Sequence, residues 1–368
     1  MLALNAMSVT RPAGLAESVS LSGLSTLGVG GPARYYLRAG SAASAAAAAA
    51  WARAEGLPLL VLGGGSNLVV ADEGFPGLVL HLLVRGVDVA GANGGVELTA
   101  GAGEPWDPLV ARAVSEGWAG VECLSGIPGL VGATPMQNVG AYGQDVSETI
   151  TRVRVLDLRT GEREELGREG CRFGYRDSRF KREDRGRYVI LDVTYRLRPG
   201  GAPSVKYADL ERQLAAQGIR TPTLADVRRA VIDVRRRKSM VIDPDDPNRR
   251  SVGSFFMNPV VPAGRAQQIE DALRAEGTLP AGERMPAFPA ANGGTKLSAA
   301  WLIERTGLHR GYRRGNAGIS TNHTLAIVNC GGATAQEVVA LAREVRDRVR
   351  DRFGIALVPE PVFIGLEF

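Results

Sequence analysis

The feature that most restricts this chain is Leu59-Leu60-Val61-Leu62-Gly63-Gly64-Gly65-Ser66-Asn67, an apolar run that empties into glycine. A short run rich in leucine and valine reads as a buried strand. Three successive glycines carry no Cβ to hold another molecule off the backbone, and they permit positive φ. Their amides can turn toward an anion as a nest, with Ser66 and Asn67 adding side-chain polar groups. The same residues are also compatible with an ordinary tight turn between strands. Two common glycine fingerprints are excluded. No Lys-Ser/Thr follows, as a P-loop requires, and no G-x-G-x-x-G opens a helix, as in a Rossmann unit. What is left is a pyrophosphate cradle on another architecture, or a turn.

A second stretch has the same character. Residues 120–143 hold six glycines and two prolines among apolar and small polar residues, and Glu122 is their only charge. Surface loops carry more charge than this. Backbone packed against a flat ligand, or against other backbone, accounts for the composition; so does a buried irregular connection.

A chain of 368 residues exceeds one hydrophobic core and suggests two or three domains. After a first dozen residues without periodicity, a strand is expected at 33–38 and an alanine-rich helix at 41–55, closed by Gly56 and Pro58. The cradle strand follows, then strands at 78–83 and 96–100 and a helix at 106–115. A hairpin is expected from 153–158 and 163–166, a strand at 188–197, and a helix from a capping box at Thr223–Asp226 to about residue 237. Residues 241–250, with three aspartates and two prolines, read as a polar linker. Beyond them come a strand at 254–261, helices at 264–276 and 297–306, strands within 318–329, a long helix from Thr334 and a closing strand at 355–364. This order is that of an α+β protein.

Composition removes several function classes. Cys123, Cys171 and Cys330 are too few and too far apart for a disulfide or zinc framework, which suits a reducing cytosol. No basic-apolar leader and no apolar run of about 18 residues is present, so neither export nor a membrane span is expected. The net charge of +5 raises nucleic-acid binding. Acidic residues are interspersed throughout, however, and no recognition motif accompanies the arginines. Local basic clusters at 235–238 and 249–250 suit an anionic small substrate better. His81, His309 and His323 show no metal-ligand spacing, and no metal is expected.

The motifs fall in a telling order: the 63–67 cradle, Gly126-Ile127-Pro128-Gly129 with Gly132 beyond it, Gln137-Asn138-Val139-Gly140-Ala141-Tyr142-Gly143, Tyr175-Arg176-Asp177-Ser178, Gly253-Ser254-Phe255-Phe256-Met257-Asn258-Pro259, and Pro359-Glu360. In this the chain resembles the UDP-N-acetylenolpyruvoylglucosamine reductases, flavoenzymes that make UDP-N-acetylmuramate for bacterial peptidoglycan, over roughly residues 24 to 365. The resemblance implies a two-lobed FAD-binding domain of the vanillyl-alcohol-oxidase (PCMH) type and a smaller α/β substrate domain. The boundaries it suggests are 1–80 and 81–240 for the lobes, 241–353 for the substrate domain, and 354–368 for a terminal strand returning to the FAD domain. Lys206-Tyr207-Ala208-Asp209-Leu210 looks like the tyrosine segment of the family's longer form.

The resemblance also implies residue roles. FAD, held without a covalent tether, would lie against Gly63, Gly64, Gly65, Ser66, Asn67, Gly126, Ile127, Pro128, Gly129, Gly132, Gln137, Asn138, Gly140, Ala141 and Tyr142. NADPH would deliver hydride to it; the enolpyruvyl ether would then take hydride at C3 and a proton at C2. Arg176 would hold the developing enolate carboxylate, for which a guanidinium fork is suited. Ser254 would donate the proton and Glu360 would assist at the same intermediate. Tyr175, Tyr207, Arg235, Lys238 and Asn258 would contact the UDP-sugar or the nicotinamide nucleotide sharing its space. A cytoplasmic monomer is expected. Two alternatives remain at this point: a flavin oxidase of small hydroxy compounds on the same fold, and a non-catalytic nucleotide-binding protein.

Overall fold

Parallel strands place the glycine run. The computed structural model describes residues 10–92, 94–280, 282–290 and 293–368. In it Leu59–Leu62 pairs in parallel with Phe75–Leu82, which pairs in parallel with Pro32–Ala39; Ala16–Ser20 adds an antiparallel edge. Parallel pairing requires a crossover, and helix Ala42–Ala54 supplies it. Ser41 caps that helix by accepting from the Ser44 amide at 3.1 Å. Its buried face is Ala45, Ala48, Trp51 and Ala52, small residues that let the helix lie close to the sheet.

A larger antiparallel sheet runs in the order Arg163–Gly167, Ile150–Asp157, Tyr188–Pro199, Gly95–Gly101, Val87–Ala92. Its central strand, Tyr188–Pro199, is buried at every residue from Tyr188 to Tyr195. Leu98, Trp106 and Tyr195 join Leu78, Leu80 and Trp51 in one continuous core. Helix Trp106–Ser115 packs into it through Trp106, Leu109, Val110 and Ala113.

The described chain divides into two units. The first comprises the chain up to Leu21, Gly31–Gly65 and Gly74–Ile242; the second comprises Ser22–Gly30, Ser66–Glu73 and Asp243–Phe368. The chain thus changes unit directly after the three glycines, and again inside the polar linker. Residues 354–368 group with the second unit, where Val362–Ile364 pairs in parallel with Leu68–Val70, the continuation of the cradle.

In the second unit, Val260–Val261, Thr295–Leu297 and Ala287–Pro289 form one small sheet, and Arg313–Arg314, Ala317–Ile319 and Ile327–Asn329 form another. Helix Ala335–Phe353 closes the core with Val338, Leu341, Val345 and Val349 inward. Thr334 and Glu337 cap it reciprocally, and Asp72 accepts from the Ala335 and Gln336 amides at 2.8 and 3.2 Å.

Three expected elements are shorter than the sequence suggested. The strand at 254–261 survives only as Val260–Val261. Gly253 takes φ +73 and turns the chain, and Phe255 and Phe256 are both buried, which an alternating strand does not allow. The closing strand reduces to Val362–Ile364 because Pro359 and Pro361 cannot donate to a ladder. The helix at 297–306 is Ala299–Glu304, since Leu297 belongs to a strand. An additional helix, Ala208–Ala216, begins directly after Tyr207. The irregular start expected at the N-terminus lies, for residues 1–9, outside the described residues. Among the described residues no helix is long and apolar enough to cross a membrane, and no His/Cys/Asp/Glu cluster could hold a metal ion.

Candidate functional site

The three glycines do different things. A Cβ on Gly64 would lie 2.8 Å from the Gly129 Cα, so here two glycine loops pack backbone to backbone. A Cβ on Gly63 would meet no protein atom within 4 Å, which leaves room for a ligand. Gly65 takes φ +63 and turns the chain toward Ser66. The carbonyl side of Gly63 is held by His81, whose Nδ1 lies 2.7 Å from the Tyr36 hydroxyl while the ring also bonds the Gly63 backbone. Burial, with Arg38 nearby, lowers the His81 pKa.

The second loop is tied down from beneath. Asp107, in the first turn of its helix, accepts the Gly126 amide at 2.6 Å and both arms of Arg228 at 2.7 and 2.9 Å. Burial alone would raise the Asp107 pKa; these donors outweigh it and hold the carboxyl below the usual range. Trp106 accounts for two further bonds: its amide donates to the Gly129 carbonyl at 3.1 Å and its indole to the Leu124 carbonyl at 3.1 Å. Gly132 sits where a Cβ would be 2.6 Å from that of Ala102. Ile127 packs against the core, and Gln137 is half-buried. Gly140–Ala141 pairs with Gln144–Asp145. Asn138 commits its side chain internally, donating to the Gly174 carbonyl at 3.0 Å and accepting the Ser147 amide at 3.1 Å. These bonds help to shape the loop.

Two arginines face this loop. Arg235 is 8% exposed, donates to the Met240 carbonyl at 2.6 Å and hydrogen-bonds Tyr142, yet its Nε is buried without a partner. That nitrogen lies 3.5 Å from the position a Gly126 Cβ would take. Burial lowers the Arg235 pKa and pushes that of Tyr142 up to about 12. A buried cation with an unused donor suits an anionic phosphate, which the pyrophosphate of FAD and the diphosphate of a UDP-sugar both offer. Arg176 takes φ +54, unusual for a side-chain-bearing residue, and sets its guanidinium on the carbonyls of Asn138, at 3.4 Å, and Gly140. It also lies over the Tyr175 ring at 5.6 Å. Tyr175 and Tyr207 are exposed, and Tyr207 stands edge-on to Tyr142 at 5.6 Å. Lys238 ends its helix with Nζ 3.1 Å from Asp209.

The other predicted residues belong to the second unit. The Glu360 amide donates to the Phe255 carbonyl at 2.9 Å, and the Met257 amide to the Val358 carbonyl at 2.9 Å. This pairing sets the Glu360 backbone directly beside the residue after Ser254. Asn67 donates to the Glu360 carbonyl at 3.3 Å and accepts the Val362 amide at 2.9 Å, so Ser66-Asn67 continues straight onto the Glu360 segment. The Asn258 Oδ1 accepts the Ala299 amide at 2.9 Å and so caps a helix. Gly63 to Gly65, residues 126 to 142, Tyr175, Arg176, Tyr207, Arg235 and Lys238 lie in the first unit; Ser66, Asn67, Ser254, Asn258 and Glu360 lie in the second. Sequence reasoning missed Asp107, Trp106 and His81, whose only signal was their place next to a glycine motif once the chain is folded.

Known proteins match along nearly the whole length. An FAD-binding-domain family model covers residues 33–167, and the C-terminal-domain model of UDP-N-acetylenolpyruvoylglucosamine reductase covers residues 245–364. The UDP-N-acetylenolpyruvoylglucosamine reductase of Thermobifida fusca is 48% identical over 358 residues, 95% of this chain and 98% of that protein. That of Saccharopolyspora erythraea is 48% identical over 349 residues, 94% of each chain. The crystal structure of the Thermus caldophilus enzyme superposes with a TM-score of 0.64 at 27% identity, covering 95% of this chain and 98% of that one. The fold class expected from the sequence stands, and with it FAD chemistry: the chain belongs to the UDP-N-acetylenolpyruvoylglucosamine reductase family.

Proposed function

We propose that this chain reduces the enolpyruvyl ether of UDP-N-acetylglucosamine enolpyruvate to UDP-N-acetylmuramate. Near-full-length identity to relatives of that name carries the reading. Bound FAD supplies the hydride chemistry, with NADPH as the source of hydride. Gly63 and Gly65 with Gly126 to Gly129 hold its pyrophosphate, Gly63 by open backbone. His81 is committed to Tyr36 and Gly63, which supports a cofactor held without a covalent tether.

The remaining work falls to side chains. Arg176, already preorganised by two carbonyls, holds the substrate carboxylate, where negative charge grows as C3 is reduced. Ser254 gives the proton to C2. A serine hydroxyl is a weak acid unaided, and Glu360, on the segment paired with Phe255, supplies the polar neighbour. Tyr207 and Lys238 meet the diphosphate of the UDP-sugar, with Tyr175, Arg235 and Asn258 around it. We place the reaction in the cytoplasm and the enzyme as a monomer. The test is anaerobic incubation of the purified yellow protein with NADPH and the enolpyruvyl sugar nucleotide, read by mass spectrometry. A product two hydrogens heavier, formed with equimolar NADPH loss, supports the assignment. NADPH oxidation indifferent to the sugar nucleotide overturns it.

A further inference from the structure

Glu122, the only charge of the glycine-rich stretch, has no part in the chemistry above. Its side chain is wholly buried at 0% exposure. A buried ionisable group is costly unless hydrogen-bonded, and Glu122 takes three N–H donors. The Gly120 amide donates to one carboxylate oxygen at 2.8 Å. The Ser204 amide at 2.8 Å and the Gln144 side-chain amide at 3.3 Å donate to the other. Gln144 is itself oriented, since its Oε1 accepts the Cys123 amide at 3.0 Å.

Ser204 is the point of interest. Glu122 holds its N–H, and the Cys123 thiol donates to its carbonyl at 3.1 Å, so two adjacent residues grip both polar groups of one backbone position. Residues 201–207 have no regular structure of their own. Val205 packs against the cluster that holds Cys123 and Leu210, and three residues after Ser204 the Tyr207 ring meets Tyr142 and the helix Ala208–Ala216 begins. The grip on Ser204 therefore sets where Tyr207 starts from.

We propose that Glu122 is a positioning residue for the sugar nucleotide: by holding Ser204 it places the Tyr207 phenol on the substrate diphosphate. The proposal rests on the role given to Tyr207 above. A carboxylate is required because it accepts at both ends. Glutamine in its place would set an NH₂ against the Gly120 amide in one orientation and against the Ser204 amide and Gln144 in the other.

The experiment uses FAD-loaded enzyme carrying Glu122→Gln, Tyr207→Phe, or both. Amide exchange of the 200–207 peptide, followed by mass spectrometry, accelerates in Glu122→Gln. KM for the UDP-sugar rises about tenfold or more, the scale of one buried polar group left unmatched, while kcat and flavin content stay near wild type. Because Glu122 acts through Tyr207, the double variant is no worse than the more severe single one. Gln144→Leu, which removes one donor from Glu122 and the acceptor of the Cys123 amide, moves exchange and KM the same way and serves if Glu122→Gln does not fold. Additive effects, unchanged exchange, or a parallel fall of kcat and flavin content overturn the proposal. Should Tyr207→Phe itself leave KM unchanged, the role of Tyr207 fails and this proposal with it. A raised KM in Tyr207→Phe with none in Glu122→Gln removes Glu122 alone.

Discussion

Gly63 and Gly64 stand side by side and should fail differently when each becomes alanine. Neither has positive φ, so alanine adopts both backbones without strain and the difference lies in what its methyl meets. At Gly64 the methyl would be 2.8 Å from the Gly129 Cα, 3.3 Å from its carbonyl carbon and 3.5 Å from the Leu130 nitrogen. These are backbone atoms that cannot rotate away, so one loop must shift, at the roughly 1–3 kcal/mol typical of overpacking. In a unit of this size that lowers Tm by about 2–4 °C per kcal/mol, with or without flavin. At Gly63 the methyl meets no protein atom within 4 Å. Apo stability should hold, or rise by about 0.4–1 kcal/mol as the unfolded chain loses freedom. If FAD lies against Gly63, the same methyl is overpacked in the complex, and Kd for FAD rises about 5- to 150-fold. Thermal unfolding of the apoprotein and fluorescence titration with FAD separate the two variants. A Gly63→Ala protein that binds FAD as tightly as wild type would refute the cradle. Loop-on-loop packing thus gives Gly64 a structural reason to lack a Cβ, while at Gly63 the reason is left to the ligand.

Ser254→Ala should leave reduction of the flavin by NADPH near the wild-type rate and slow its reoxidation by the enolpyruvyl substrate about 10²–10⁴-fold. Stopped-flow absorbance of each half separately decides it, and equal slowing of both removes Ser254 as the acid. Arg176→Lys keeps the charge but loses the fork on the Asn138 and Gly140 carbonyls, and should lower kcat about 10²–10³-fold; a change confined to KM would show that the arginine only binds. Asp157 tests the electrostatics of the large sheet. Burial pushes its pKa up, but Arg187 and Arg159 outweigh this and hold it at about 2, below its unfolded value of about 4. Its contribution to stability is therefore complete above about pH 4 and lost as pH falls through about 2, so Asp157→Asn should be less stable at neutral pH and converge on wild type in acid denaturation toward pH 2.

Local signals were legible wherever backbone chemistry alone decided the outcome. Leu59–Leu62 is a strand and Trp106–Ser115 a helix at the residues expected, because apolar run and glycine stop agree there. The capping boxes at Thr223 and Thr334 formed for the same reason. What the sequence hid was pairing at distance. The Asn67 side chain meets the Glu360 carbonyl 293 residues away, and nothing near either residue announces the other. For that reason the 66–73 segment reads as part of the first lobe and folds with the second unit. Asn138 shows a subtler limit. As part of a motif it reads as a cofactor contact, and in the fold its amide also bonds Gly174 and Ser147, a structural part that no neighbouring residue announces. Glycine is the extreme case, since its letter reports only that a Cβ is unwanted. At Gly64 the reason is Gly129, at Gly132 it is Ala102, and at Gly63 the protein offers no reason at all. Glycines such as Gly23, Gly40 and Gly91 share that open Cβ position, so at Gly63 it is the FAD titration that tells a ligand contact from a solvent-facing turn.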